Sequence, residues 1–381
     1  MEKIFSASKD NAEILLRQFS SVFTKTVSLI MPPVSLFIDE PLEQIQVETK
    51  GVEKLLHKIQ PHKAKGPDNI PNYVLKNCSS TLASGIALIF QKSLDSSTLP
   101  KDWTDANVSP IYKKGDRQSA KNYRPVSLTS VLSKTLEHIV CHTMHKHFDK
   151  HVLTNLNHGF RKGFSCETQL TITVDDLCRN LDKGIQTDVA ILDFSKAFDK
   201  VPHDKLLFKL DAYGIRGQLQ DWIRSFLTKR SMRVIVEGKA SSETTVDSGV
   251  PQGTVLGPLL FLCHINDLPD RAKSSFVRLF ADDCLLYRTI RNIDDQLAMQ
   301  EDLRQLEIWA SDWGMSFNAT KCYILSINSR QSFYYQLNGT ILKHVDNNPY
   351  LGLLISKDLK WATHEYGSII WDPHLQKDID R

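Results

Sequence analysis

The chain has 381 residues, of which 41% are apolar, 24% charged and 9% aromatic. At ~150 residues per domain this allows two or three lobes, and the composition excludes a disordered, collagen-like or coiled-coil chain. Forty-seven basic against 44 acidic side chains leave a net charge of only +3. No apolar run approaches the ~20 residues needed to cross a bilayer, so no membrane partner is expected. The start of the chain, with Glu2, Asp10 and Glu13, reads neither as a signal peptide nor as a transit peptide. Cysteines are scattered, without a Cys-x-x-Cys pair or a Cys/His cluster at zinc spacing, which points to free thiols in a reducing compartment.

Ile14, Leu15, Phe19 and Val22 mark a short amphipathic segment, and the Pro-containing stretch 31–41 after it reads as a connector. Helical spacing then recurs at Val52, Leu55, Leu56 and Ile59, and at Leu82, Ile86, Ile89 and Phe90. Residues 111–134 hold Lys113, Lys114, Lys121, Lys134, Arg117 and Arg124 against the lone acid Asp116, a basic patch whose plain reading is a solvated surface. A longer helix is predicted over 131–148, with Leu132, Leu136, Ile139, Val140 and Met144 on one side. Another follows from Leu170, Val174, Leu177 and Leu181.

The pattern changes at 189–192, a short apolar run between Asp188 and Asp193 that reads as a buried strand. Leu206, Leu207 and Leu210 mark a helix with Gly214 just past its end as C-cap. Leu219, Trp222, Ile223, Phe226 and Leu227 mark the next helix, and residues 233–237 alternate like a strand. Residues 277–287 read as two short strands around a tight turn. Leu297, Leu303, Leu306, Trp309 and Trp313 suggest a helix, and Asn338-Gly339 signals a hairpin. Helices and strands interleave without βαβ spacing, which predicts an α+β fold with helices packed on a largely antiparallel sheet.

Three acids border these apolar strands: Asp193, and Asp282 with Asp283 at the tight turn. Asp is also common at strand ends and turns, where its side chain bonds the local backbone. If the two strands are neighbours, however, the carboxylates converge at the edge of a core. Like charges 4 Å apart repel by ~4 kcal/mol at an effective dielectric of 20, so such a cluster calls for a cation. All-oxygen ligands on strands suit Mg²⁺. A pair of such ions can activate an attacking hydroxyl and neutralise a departing oxygen in phosphoryl transfer.

A second constellation is Ser248-Gly249-Val250-Pro251-Gln252-Gly253-Thr254, followed by Gly257-Pro258 and an apolar run. Its glycines and prolines suit a tight loop that a ligand can approach closely, with Gln252 projecting as donor and acceptor. The spacing meets neither a dinucleotide fingerprint nor a P-loop.

In this order the motifs resemble the reverse transcriptase region of non-LTR retrotransposons, the LINE-like elements of the jockey type, over residues 19–361. Leu192-Asp193-Phe194-Ser195-Lys196-Ala197-Phe198-Asp199 looks like the family's first palm motif. Phe280-Ala281-Asp282-Asp283 is similar to its metal-binding hairpin, and residues 248–253 to its nucleotide-binding loop. Asn122-Tyr123-Arg124-Pro125, His158-Gly159-Phe160-Arg161 and Tyr350-Leu351-Gly352 also match.

The resemblance implies a right-hand polymerase fold with fingers and palm and an incomplete thumb. The implied activity is RNA-directed DNA polymerase: a nucleotidyltransferase that extends a DNA primer 3′-OH on an RNA template with dNTPs. Asp193, Asp282 and Asp283 would carry two Mg²⁺ ions (Mn²⁺ as substitute), with the Phe194 carbonyl as a further ligand. Phe198 would disfavour a ribose 2′-OH. Arg124 and a lysine of the pair Lys113 and Lys114 would hold the triphosphate, and Gln252 and Gly253 would lie against the nucleotide. Lys321 would protonate departing pyrophosphate. Arg161 and Lys162 would follow the template backbone, and Tyr350, Leu351 and Gly352 would lie near the primer grip.

Family likeness also implies an intracellular location, nucleus or cytoplasm, and a division of the chain. Residues 1–50 would form an arm, 51–100 a helical extension, 101–361 fingers and palm, and 362–381 a thumb remnant. Family members carry an endonuclease ahead of the polymerase; the first 50 residues supply none, so endonuclease activity is not expected of this chain. After Trp361-Ala362-Thr363-His364 the thumb helices are skipped, which predicts weakened duplex binding. The rival reading is a catalytically decayed remnant that only binds nucleic acid. A third, an RNA-dependent RNA polymerase, would carry a smaller residue than Phe198.

Overall fold

A computed structural model describes residues 8–24 and 30–359. The skip of the thumb helices expected after His364 and the thumb remnant expected over 362–381 lie outside the described residues. The described residues fall into two compact units, one within 1–153 and 198–264, the other within 154–197 and 265–381. Among the described residues no helix is long and apolar enough to cross a membrane, and all seven cysteines are free thiols.

The first unit is built on a sheet ordered Tyr123–Leu128, Asp105–Tyr112, Ser231–Val236, Lys239–Ala240, with Thr244–Thr245 also paired to Ser231–Val236. Only the pairing between Asp105–Tyr112 and Ser231–Val236 is parallel. The strand expected over 233–237 stops at Val236, because Glu237 and Gly238 both take positive φ, +48° and +76°, and turn the chain. Helix Ser8–Ser20 lays Ala12, Leu15, Leu16 and Phe19 on Val108, Met232 and Val234 of this sheet. That is the spacing of one helical face.

Helix Ser79–Asp95 buries Ala83, Ile86, Ala87 and Phe90, while Ile89 is 53% exposed. Ile89 lies about 100° round the helix from Phe90, and small Ala83 and Ala87 define the packed stripe instead. Helix Val131–His151 buries Leu136, Val140 and Met144 as expected, and with them Glu137. Helix His203–Ala212 ends before Gly214, whose φ of +85° suits the predicted cap.

The second unit centres on strand Gln186–Asp193 in a sheet ordered Lys343–His344, Tyr323–Ile327, Gln186–Asp193, Asp283–Ile290, Phe276–Phe280. Apart from the parallel outer pair with Lys343–His344, its pairings are antiparallel. The central strand starts at Gln186, three residues before the apolar run, because its polar side chains are satisfied inside. Gln186 Nε2 donates to Asp188 Oδ1 at 2.9 Å, and the Tyr335 hydroxyl donates to Asp188 Oδ2 at 2.7 Å. Helix Cys166–Asp182 packs Leu170, Val174 and Leu177 against Val189, Leu285, Tyr287 and Leu325. Its start is closed by a capping box between Ser165 and Thr168.

Helix Ile293–Asp312 buries Met299, Leu303, Leu306 and Trp309, leaving Leu297 exposed. Asn338-Gly339 turns between Gln336–Leu337 and Thr340–Ile341, with φ of +50° and +69° at the two turn residues. The fold is a mixed α/β arrangement with helices on largely antiparallel sheets.

Candidate active site

In the second unit, strand pairing settles the question that the acids raise. Asp193 and Asp283 are register partners in the antiparallel pair Gln186–Asp193 and Asp283–Ile290. Directly opposed residues have Cα atoms ~4.5–5.5 Å apart and share a face of the sheet. Phe280 pairs with Asp283, so Ala281 and Asp282 are the two turn residues. Acids 193, 282 and 283 are thereby gathered at one end of the sheet as backbone positions. Asp193 is half-buried with its side chain 43% exposed, and Asp282 and Asp283 are exposed. Among the described residues, no group of three or more His, Cys, Asp or Glu side chains is arranged to hold a metal ion.

Asp193 is fixed from its far side. Its N–H donates to Cys322 Sγ at 3.3 Å, and its carbonyl accepts from the Asn318 N–H at 2.8 Å. Burial pushes the Cys322 thiol up to about 11. Phe194 is buried and stacks on Phe317 with centroids 4.2 Å apart. Lys321, in the turn Ala319–Lys321, places Nζ 4.0 Å from Asp193 Oδ1. The donor set is carboxylate oxygen on a rigid sheet end, open to solvent and opposed by an ammonium. That chemistry fits a hard divalent cation.

The first unit holds the glycine-rich loop, which is strapped to the segment following Ala197. Ser248 Oγ donates to the Asp199 carbonyl at 2.8 Å, Gly249 N–H to the Val201 carbonyl at 2.8 Å, and Val250 N–H to the Phe198 carbonyl at 2.8 Å. Gly249 is at φ +91°, and a Cβ there would stand 2.7 Å from the Asp199 carbonyl oxygen. Gln252 does not simply project: its Nε2 donates to Asp199 Oδ1 at 3.0 Å, and its carbonyl accepts from Ser127 N–H at 2.9 Å. A Cβ on Gly253 would lie 2.6 Å from the Ser127 carbonyl oxygen. Phe198, half-buried, stacks on Phe261 at 4.3 Å. Behind the loop Glu137 accepts N–H bonds from Val255 and Leu256.

Lys113 and Lys114 follow strand Asp105–Tyr112, and Arg124 sits opposite Ile111 on the edge strand Tyr123–Leu128. All three are exposed. In the second unit Arg161 is 8% exposed; its Nη1 donates to the Thr154 carbonyl at 2.8 Å and its guanidinium lies over Phe164 at 4.6 Å. Lys162 beside it is exposed. Tyr350 is buried at the end of Asn347–Tyr350, where Leu351 and Gly352, at φ +49° and +86°, turn the chain into Leu353–Ser356.

Sequence reasoning missed Asn157, whose Oδ1 accepts from Ala281 N–H at 3.1 Å, and Asp199, Glu137 and Cys322 as supports of these sites. Asp199 is the last residue of the motif at 192–199. Asn157 directly precedes another, but nothing local says what either one bonds.

This chain belongs to the reverse transcriptase (RNA-dependent DNA polymerase) family, whose sequence pattern matches residues 111–355. It is similar to the RNA-directed DNA polymerase from mobile element jockey of Drosophila melanogaster, 27% identical over 96% of this chain and 40% of the relative. The corresponding jockey protein of Drosophila funebris is 29% identical over 84% of this chain and 36% of its own length. The probable RNA-directed DNA polymerase from transposon BS of Drosophila melanogaster is 28% identical over 90% of this chain and 39% of the relative. The chain thus spans about two fifths of the length of the curated relatives it matches.

Proposed function

We propose that this chain is the polymerase portion of a non-LTR retrotransposon reverse transcriptase, extending a DNA primer 3′-OH on an RNA template with dNTPs. The observation that carries the proposal is the pairing of Asp193 with Asp283, with Asp282 in the adjoining two-residue turn. In this reading 101–361 are fingers and palm, 1–50 an arm, 51–100 a helical extension and 362–381 a thumb remnant.

Asp193, Asp282 and Asp283, with the Phe194 carbonyl, would hold two Mg²⁺ ions, or Mn²⁺ in their place. When bound, such ions lower the cost of charge on the attacking and departing oxygens. The protein's own residues do the rest. Arg124 and a lysine of the pair Lys113 and Lys114 bind the triphosphate by charge-assisted hydrogen bonds. Gln252 and Gly253, fixed by Asp199 and Ser127, present a rigid surface to the nucleotide. Phe198, held by its stacking on Phe261, excludes the 2′-OH of a ribonucleotide. Lys321 gives a proton to the departing pyrophosphate, and its position beside Asp193 puts it at the acidic end of the sheet.

Lys162 is free of the packing that engages Arg161 and contacts template phosphates; Arg161 shapes the same segment from inside. Tyr350, Leu351 and Gly352 form the turn that supports the primer end.

Primer extension on an RNA template with Mg²⁺ tests the proposal. Asp282→Asn is expected to lower the rate about 100-fold or more, as loss of a charge that stabilises the transition state does. Undiminished extension by that variant rejects the assignment, and duplex binding without incorporation by the native chain identifies it as a decayed remnant.

A further inference from the structure

The turn that carries Asp282 is held from outside. Ala281, directly before Asp282, has φ +52°, a left-handed conformation that is unfavourable for any residue with a Cβ. Asn157 meets this strain. Its Oδ1 accepts two backbone N–H bonds, from Gly159 and from Ala281, each at 3.1 Å. The neighbouring backbone zips onto the strand that leads into the turn: Leu279 N–H donates to the Leu156 carbonyl at 2.8 Å, and His158 N–H to the Leu279 carbonyl at 3.1 Å. Gly159 is part of the same contact, since a Cβ there would overlap the Ala281 backbone nitrogen and lie 2.9 Å from its Cβ.

The support is itself anchored. Asn157 is 3% exposed. His158 Nδ1 lies 2.9 Å from Thr168 Oγ1, a member of the capping box that starts helix Cys166–Asp182. The His158 ring packs on Phe164 with centroids 4.4 Å apart, and Phe164 also carries the Arg161 guanidinium. A rigid helix start thus reaches the acid-bearing turn through one asparagine and one glycine.

We infer that Asn157, with Gly159, is a positioning residue for Asp282: it fixes the Ala281 backbone and so the direction in which the Asp282 carboxylate is presented. The inference rests on the proposed role of Asp282 as a metal ligand. Groups that orient metal-ligating side chains commonly change metal affinity or activity by 10–100-fold when removed.

The test uses the full chain, first without metal and then with Mn²⁺ alone. Asn157→Ala, which removes the acceptor, and Gly159→Ala, whose Cβ would push the Ala281 amide away from it, are each expected to speed amide exchange at Ala281 about tenfold, the loss of one good hydrogen bond. Each should also weaken Mn²⁺ binding in calorimetry about tenfold, while amides of strand Gln186–Asp193 keep their protection. Asn157→Asp retains an acceptor oxygen and is expected to restore both. Native Ala281 exchange together with native Mn²⁺ affinity in the alanine variants overturns the inference. If Asn157→Ala does not fold, the same two readouts on Gly159→Ala decide. Asp282→Asn runs in parallel: if it binds Mn²⁺ as the native chain does, the ligand role of Asp282 fails, and Ala281 exchange alone decides whether the turn is clamped.

Discussion

Glu137 offers the sharpest test of how the glycine-rich loop is supported. Its side chain is fully buried on helix Val131–His151. Oε2 accepts from the N–H groups of Val255 and Leu256 at 2.7 and 3.1 Å, at the start of helix Leu256–Ile265. Ser133 Oγ donates to Oε1 at 3.3 Å. Glu137→Gln keeps an oxygen for both N–H groups, turns the Ser133 contact round so that the amide NH2 donates to Oγ, and loses the charge at the helix N-terminus, worth ~0.3–2 kcal/mol.

Glu137→Ala strands one buried donor, Leu256 N–H, at ~1–3 kcal/mol and one part-buried donor, Val255 N–H, so it should be less stable than Glu137→Gln by at least about 1–3 kcal/mol. Buried Arg230, which burial pulls down to about 10, also loses the opposing charge of Glu137 in both variants. Urea unfolding followed through Trp103 and Trp222, both in the first unit, reads the difference. At a slope of ~1–3 kcal/mol per molar urea, the alanine midpoint should fall about 1 M or more below the glutamine midpoint. Coincident midpoints with equal slopes would refute the claim that Glu137 satisfies those two amides.

Two further outcomes concern the same loop. Gly249→Ala places a Cβ 2.7–2.8 Å from the Asp199 and Phe198 backbones at φ +91°; strain of ~1–3 kcal/mol should displace the loop and raise the KM for dNTP about tenfold, and an unchanged KM contradicts a nucleotide role. His203 donates from Nε2 to the Gly249 carbonyl at 2.8 Å. Burial pushes its imidazole below the usual 6.5 and Arg230 adds to this, while the Gly249 bond, Asp204 and Asp247 pull upward. The folded chain therefore binds fewer protons at this site than the unfolded chain. Its contribution is full above 6.5 and is lost as pH falls from there toward the lower folded value. His203→Gln should flatten the decline in stability between about pH 7 and 5, and equal slopes in urea titrations of the two proteins would count against it.

Where the determinants are local, the chain declares itself. Residues 189–192 announce a buried strand, 277–287 a hairpin, and Asn338-Gly339 a turn, because apolar period and φ preference act within a few residues. The acids at 193, 282 and 283 and the loop at 248–254 are legible for the same reason: their residue types are demanding wherever they occur. Partnership is different. That Asp193 stands opposite Asp283, that Gln252 bonds Asp199, that Asn157 clamps Ala281 and that Glu137 caps helix Leu256–Ile265 each depend on a residue far along the chain. Ile89 and Arg161 make the point from the other side: one is apolar and exposed, the other charged and buried. Local pattern specifies which surface an element could bury. Packing and hydrogen-bond satisfaction, summed over distant segments, decide which surface it does bury and which polar groups hold the site in place.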